Sequence, residues 1–165
     1  MSRRAVTIAA LTVLLVVGVI AFRHYFSPGE VVNRKLVATI DAFEEERLLA
    51  VMSAVSRKYS DPLGLDYESL GSYLHETMET YDDLRVDYVL TRPEVGEGEV
   101  RIDIELVLWG RYEGTKGYVI GSISDPCTAT LLWREEAPGW RLASTPELTI
   151  PELRDELQSR RNQTQ

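Results

Sequence analysis

The sequence predicts an α+β fold, two helices followed by a four-stranded antiparallel sheet, and three observations carry that prediction. Along residues 99–110, Val100, Ile102, Ile104, Leu106 and Leu108 fall on one side of an extended chain and Arg101, Asp103 and Glu105 on the other, because a strand turns its side chains over at every second residue. Upstream, Val32, Leu36, Ile40, Phe43, Leu48, Val51, Val55 and Tyr59 recur at steps of three to five, which predicts one long amphipathic helix. After Asp82 and Asp83 the period switches from helical to alternating. Burying the five aliphatic side chains of the central strand would contribute on the order of 10 kcal/mol, so the core is expected to be built on that strand.

Taken in order, residues 5–22 form an uncharged run of 18 residues that includes Leu11, Leu14, Leu15, Val17 and Phe22. As a helix this run would reach roughly 27 Å, close to the hydrocarbon thickness of a bilayer. It predicts an N-terminal transmembrane helix, residues 1–26 serving as a membrane anchor with the lipid bilayer as partner. A cleaved signal peptide is the alternative, although the run exceeds the usual apolar length of one. A very short basic N-terminus carrying Arg3 and Arg4 fits a signal-anchor. The expected location is thus the bacterial inner membrane, single-pass, with the C-terminal domain extracytoplasmic (periplasmic); the opposite, cytoplasmic orientation is the rival.

Ser27, Pro28 and Glu30 then mark a helix start, combining a capping hydroxyl, a proline at the first helical position and an acid three residues after the cap. Asp61 and Pro62 end the long helix, and Asp66 caps a second one through about residue 80, with Leu70, Leu74 and Met78 as its stripe. Val86, Tyr88 and Leu90 form a first strand, residues 99–112 the central one, residues 118–134 a third that is interrupted at Asp125-Pro126, and residues 140–145 the last. The globular domain is expected over residues 27–146, with residues 147–165 a C-terminal tail containing a short helix at 151–161.

Composition excludes some functions. The chain carries 18 basic and 26 acidic residues, a net −8. With Arg3, Arg4 and Arg23 beside the apolar run, the remainder holds 15 basic against 26 acidic residues, near −11. Such a domain repels phosphate backbones, so no nucleic acid is expected as partner. Cys127 stands alone, which excludes an internal disulfide and a cysteine-rich metal cluster.

The order of a long helix, a second helix after a short loop and a meander closing on a Trp-containing strand resembles the nuclear transport factor 2-like superfamily, the cystatin-like α+β cone that includes polyketide cyclase-like (SnoaL-like) and ketosteroid isomerase-like members. The residues that carry it are Ile40 to Glu44, Tyr59-Ser60-Asp61 and Gly139-Trp140-Arg141-Leu142. The resemblance implies a curved, cone-like sheet, a pocket between helices and sheet, and frequent dimers through the outer sheet face. It implies no single activity, because one fold hosts enzymes and binding modules alike.

Enzymes of this fold hold an ionisable side chain inside the cone, where burial tunes its pKa; here the dry face of the central strand is aliphatic, so no catalytic residue is assigned. Asp103 and Glu105 read as solvated or interface charges rather than a catalytic pair. Tyr59, Tyr73, His75 and Tyr88 are the candidate pocket residues, although ordinary packing for the tyrosines and a boundary position for His75 explain them as simply. Cys127 reads as a compact buried hydrophobe. No metal-ligand spacing occurs: the segment from Asp61 to Asp66 lacks alternating oxygen ligands for calcium, and Gly96-Glu97-Gly98 has no following helix to cradle phosphate. No cofactor is implied.

One feature exceeds ordinary packing. Val107 and Trp109 share the charged face of the central strand, and Leu131 and Trp133 join them in one of the two possible registers. These four form the candidate interface, since apolar area on a wet sheet face marks contact with a partner. A homodimer or an envelope-protein partner would cover it, unless the segment around Leu148, Ile150 and Leu153 folds back over it. The function expected is a non-catalytic binding or assembly module; the alternative is a polyketide cyclase-like small-molecule enzyme or ligand carrier.

Overall fold

A computed structural model describes residues 27–150; the apolar run at 5–22 and the tail beyond residue 150 lie outside the described residues. Among those described, no helix is long and apolar enough to cross a membrane.

The first helix, α1 (Pro28–Glu44), starts as expected, with Ser27 Oγ accepting the Glu30 N–H at 3.4 Å and Pro28 in its first turn. It turns Val32 and Leu36 into the core. The single long helix expected through Tyr59 does not form. α1 stops at Glu44, and Glu46 adopts a left-handed φ of 56°. A short helix α2 (Leu48–Ser53) follows, and the chain then extends as strand β1 (Val55–Ser60). The physical reason lies in the spacing: positions i and i+4 share a side in a helix and in a strand alike. Val55 and Tyr59 are both buried, a four-residue spacing that a strand satisfies as well as a helix does. The five-residue step from Phe43 to Leu48 marks the break.

Helix α3 (Tyr67–Thr80) carries the expected Asp66 cap, reinforced by a reciprocal bond from the Asp66 N–H to Ser69 Oγ at 2.8 Å. Six strands follow, β2 (Asp82–Leu90), β3 (Glu94–Val95), β4 (Glu99–Tyr112), β5 (Thr115–Ile120), β6 (Cys127–Glu136) and β7 (Gly139–Thr149). The sheet order is β1-β7-β6-β4-β2, with β3 and β5 also paired to β4, seven strands instead of the expected four. β2, β4, β6 and β7 form the antiparallel meander; β1 adds to β7 in parallel, so the sheet is mixed. β5 and β6 lie end to end along one side of β4, opposite residues 108–112 and 99–106 respectively. The interruption expected at Asp125-Pro126 therefore divides one long edge into two strands.

Val100, Ile102, Ile104 and Leu108 on β4 are buried, while Arg101, Asp103 and Glu105 are exposed. The inner row packs with Val32 and Leu36 of α1 and with Ala129, Leu131 and Trp133 of β6. α3 covers a second cluster instead, built on Met52, Val55 and Tyr59 with Leu70 and Leu74 against it. Glu44 closes the exposed edge of β2: its Oε1 accepts the Val86 N–H at 2.7 Å, a side-chain substitute for a missing strand partner.

Candidate functional site

Pairing register assigns every strand residue to a face, because residues opposite one another project to the same side. Val86, Tyr88 and Leu90 on β2 oppose Leu108, Leu106 and Ile104 on β4, on the inner face. Leu131 and Trp133 on β6 oppose Ile102 and Val100. They are therefore inner-face core residues, at 8% and 1% exposure, and do not join Val107 and Trp109 on the outer face. That corrects half of the expected interface set. The outer face carries Val107 and Trp109 with Asp87 and Arg85 opposite them. Trp109 is only half-buried: its Nε1–H donates to Asp87 Oδ2 at 2.7 Å, and its ring lies 4.1 Å from that of Tyr118.

The four candidate pocket residues occupy separate settings. Tyr73 and His75 are exposed on α3, with His75 Nε2 3.4 Å from Glu79 one turn on. Tyr88 sits at the partly open inner face of the edge strand β2. Tyr59 is buried; its hydroxyl lies 3.1 Å from Thr145 Oγ1 and donates to Asp61 Oδ2 at 3.3 Å. Burial, helped by the Asp61 charge and opposed by the Thr145 bond, pushes its phenol up to about 12. A phenol held protonated in this way donates and does not serve as a base at neutral pH. Because the folded pKa exceeds the unfolded value of 10.0, the associated stability is present below pH 10 and is lost as pH rises from 10 to about 12. Phenolate absorbance is expected to show a late-titrating tyrosine in the native chain, missing from Tyr59→Phe.

A second polar group of residues holds the β6–β7 hairpin to the helices. Buried Ser56 donates from Oγ to Glu136 Oε1 at 2.7 Å, Arg141 donates to the Ser53 carbonyl, and Lys35 Nζ donates to the Trp140 carbonyl. Burial, then repulsion by Arg141, lowers the Lys35 pKa. Each of these side chains bonds to its neighbours, as a structural clasp would.

The described outer face does contain a groove of about 310 Å³. Asp103, Glu105 and Glu147 line it, with Thr91, Thr128 and Thr130 between them. Thr130 Oγ1 donates to Asp103 Oδ1 at 2.7 Å, and the Asp103 N–H donates to Thr91 Oγ1 at 3.1 Å. Ile104 and Ala129 contribute to the lining and exposed Val89 to its rim. Sequence reasoning found the two acids of β4 but missed Glu147 and the threonines. The alternation Thr128, Thr130 was visible, yet only the register opposite Glu105 and Asp103 sets it beside them. Among the described residues, no three His, Cys, Asp or Glu side chains gather to hold a metal ion.

No protein-family model and no curated protein matches the chain in sequence. Solved structures do match in shape. A protein of nuclear transport factor 2-like type with a cystatin-like fold from Novosphingobium aromaticivorans superposes with a TM-score of 0.57 at 12% identity, over 81% of this chain and 88% of its own. A ketosteroid isomerase-like protein from Erwinia carotovora atroseptica gives 0.56 at 14% identity, over 72% of this chain and 93% of its own. A candidate association domain of calcium/calmodulin-dependent protein kinase type II from Thiobacillus denitrificans gives 0.51 at 18%, over 68% of this chain and 89% of its own. At such identities the likeness speaks for the backbone alone, and it agrees with the element order and the two sheet faces derived above: the described part of this chain has the nuclear transport factor 2-like fold.

Proposed function

We propose that the domain is a non-catalytic binding or assembly module, held by residues 5–22 at the extracytoplasmic side of a bacterial inner membrane, with a second copy or an envelope protein as its partner on the outer sheet face. The observation that carries this reading is the division of chemistry between the two faces. The space between α1 and the sheet is packed with Val32, Leu36, Val100, Ile102, Ile104, Leu131 and Trp133, whereas the carboxylates and hydroxyls line a groove on the opposite side. General acid–base work needs an ionisable group within hydrogen-bond reach of a bound substrate, and a cluster of aliphatic side chains supplies none.

One observation favours the second reading, a small-molecule enzyme or ligand carrier. Trp133 Nε1 is buried and has no hydrogen-bond partner among the described residues, and a donor left so typically costs about 1–3 kcal/mol. A ligand acceptor would relieve it. The test is a titration of the full chain in mild detergent with a steroid ketone and with an aromatic polyketide, followed through methyl and indole resonances. Unchanged Ile102, Ile104, Leu131 and Trp133 signals are expected. Saturable shifts at those four residues would replace the module reading with the ligand-carrier one.

A further inference from the structure

The outer face of the sheet changes charge along β4. At one end stand the exposed carboxylates Asp103 and Glu105, with Glu147 of β7 exposed beyond Thr130. At the other end stand exposed Arg111 and, opposite it on β5, exposed Lys116. Between the two ends lie buried Val107 and half-buried Trp109, with exposed Tyr118 beside Trp109 and exposed Val89 beside Glu105. Arg111 Nη1 is held by Asp83 at 2.7 Å within its own chain, whereas Lys116 Nζ stands 5.3 Å from the centroid of the Trp109 ring. A face with acids at one end, cations at the other and apolar side chains between them can be its own complement.

We infer that two copies of the chain pack outer face to outer face about a two-fold axis that crosses the strands at Val107, with their β4 strands antiparallel. Under that axis each residue of β4 meets the residue equally far beyond Val107 in the second copy. Asp103 then meets the partner's Arg111, Val89 is covered by the partner's Arg85 and Trp109, and Lys116 enters the partner's groove beside Thr130 and Glu147. Stacked sheets lie roughly 10 Å apart, a gap that a lysine side chain from one copy crosses to reach carboxylates of the other. Competing placements fail on charge. An axis along the strands sets Asp103 and Glu105 against their equivalents, and an axis moved one residue pair to Glu105 sets that carboxylate against itself. Asp87 does meet its equivalent near the axis at Val107, but each of these carboxylates accepts the Trp109 Nε1–H of its own chain at 2.7 Å. The inference rests on the module reading for the outer face as docking surface, and it names the second copy, in one orientation, as the occupant.

The experiment is sedimentation equilibrium of the full chain in density-matched mild detergent, with charge-swapped variants. The wild-type chain is expected to show twice the monomer mass and to dissociate on dilution. Lys116→Glu with Arg111→Glu makes both ends of the face acidic, and Asp103→Lys with Glu147→Lys makes both ends basic. Each variant alone is expected to sediment as a monomer with the wild-type circular dichroism spectrum. An equimolar mixture is expected to recover the doubled mass, because the mixed pair restores opposite charges at both contacts. A readout that needs no variant is the wild-type methyl spectrum: Val89 and Val107 signals are expected to shift with concentration, while those of Leu49 and Leu63 on the helical side stay fixed. Four results would each overturn the inference: a wild-type chain monomeric at every concentration, doubled mass retained by both variants, a mixture of folded variants that stays monomeric, or Val89 and Val107 signals indifferent to concentration. A monomeric chain whose Ile102 signals ignore the ring ligands would lose the two-fold contact alone. Saturable shifts at Ile102 in a chain that still dimerises would remove the non-catalytic module reading and leave the contact standing.

Discussion

Replacing Trp133 with alanine is expected to lower the unfolding free energy by about 3–5 kcal/mol, the range for removing a large aromatic from a packed interior. Trp133 is 1% exposed and belongs to the cluster formed by Val32 and Leu36 of α1 with Val100 and Ile102 of β4. Its loss leaves a cavity where helix and sheet meet, and a cavity bounded by two regular elements closes poorly. Urea unfolding followed by circular dichroism is the measurement, with a lower midpoint at unchanged slope the expected form. Trp133→Phe is the informative companion. Nε1 has no hydrogen-bond partner among the described residues, so phenylalanine forfeits volume but no hydrogen bond and should cost markedly less than alanine. A loss below about 1 kcal/mol for Trp133→Ala, the level of an average substitution, would return this residue to the outer face and undo the register on which the site rests.

Gly121→Ala is expected to be the most damaging of the glycine substitutions, for reasons that combine. The residue sits at φ 66°, and a β-carbon there would lie 2.8 Å from the Cys127 nitrogen and 3.3 Å from the Asp125 and Leu106 oxygens. All three are backbone atoms, which cannot swing aside as a side chain can. Left-handed backbone costs an alanine about 1–2 kcal/mol, and forcing extra atoms into a filled site adds about 1–3 kcal/mol. Gly114→Ala separates the two contributions, since its φ is 80° but nothing lies within 4 Å of the added carbon. Urea midpoints of the two variants should therefore differ by the clash alone. Faster amide exchange is expected in the first residues of β6 for Gly121→Ala only, and equal midpoints would show that the passage from β5 to β6 has room that the backbone distances deny it.

Much of the fold was legible because it rests on local rules. The alternation from Val100 to Leu108, the Ser27 and Asp66 caps, and the change of period after Asp83 each reflect a steric or hydrogen-bonding preference of neighbouring residues. Where two local rules coincided, the reading failed: the step from Val55 to Tyr59 suits a helix and a strand equally, and the strand forms because the free side of β7 accepts it, with the Leu142 N–H donating to the Ala54 carbonyl at 2.8 Å. The assignment of Leu131 and Trp133 failed for a different reason. Shifting a strand by one residue exchanges its faces, and β6 alternates too weakly around Leu131 and Leu132 to announce which face is inward.

The candidate site divides in the same way. The sequence by itself determined that the central strand has one aliphatic and one charged face, that helical segments precede the antiparallel meander, and that the chain carries a net negative charge. Only the tertiary structure decided that Glu147 and the threonines of β6 join Asp103 and Glu105 in one groove, and that Tyr59, Tyr73, His75 and Tyr88 do not share a pocket. The first set follows from contacts within a few residues along the chain; the second depends on which strands pair and in what register, and these are set by how α1 and β6 together fill the volume over β4.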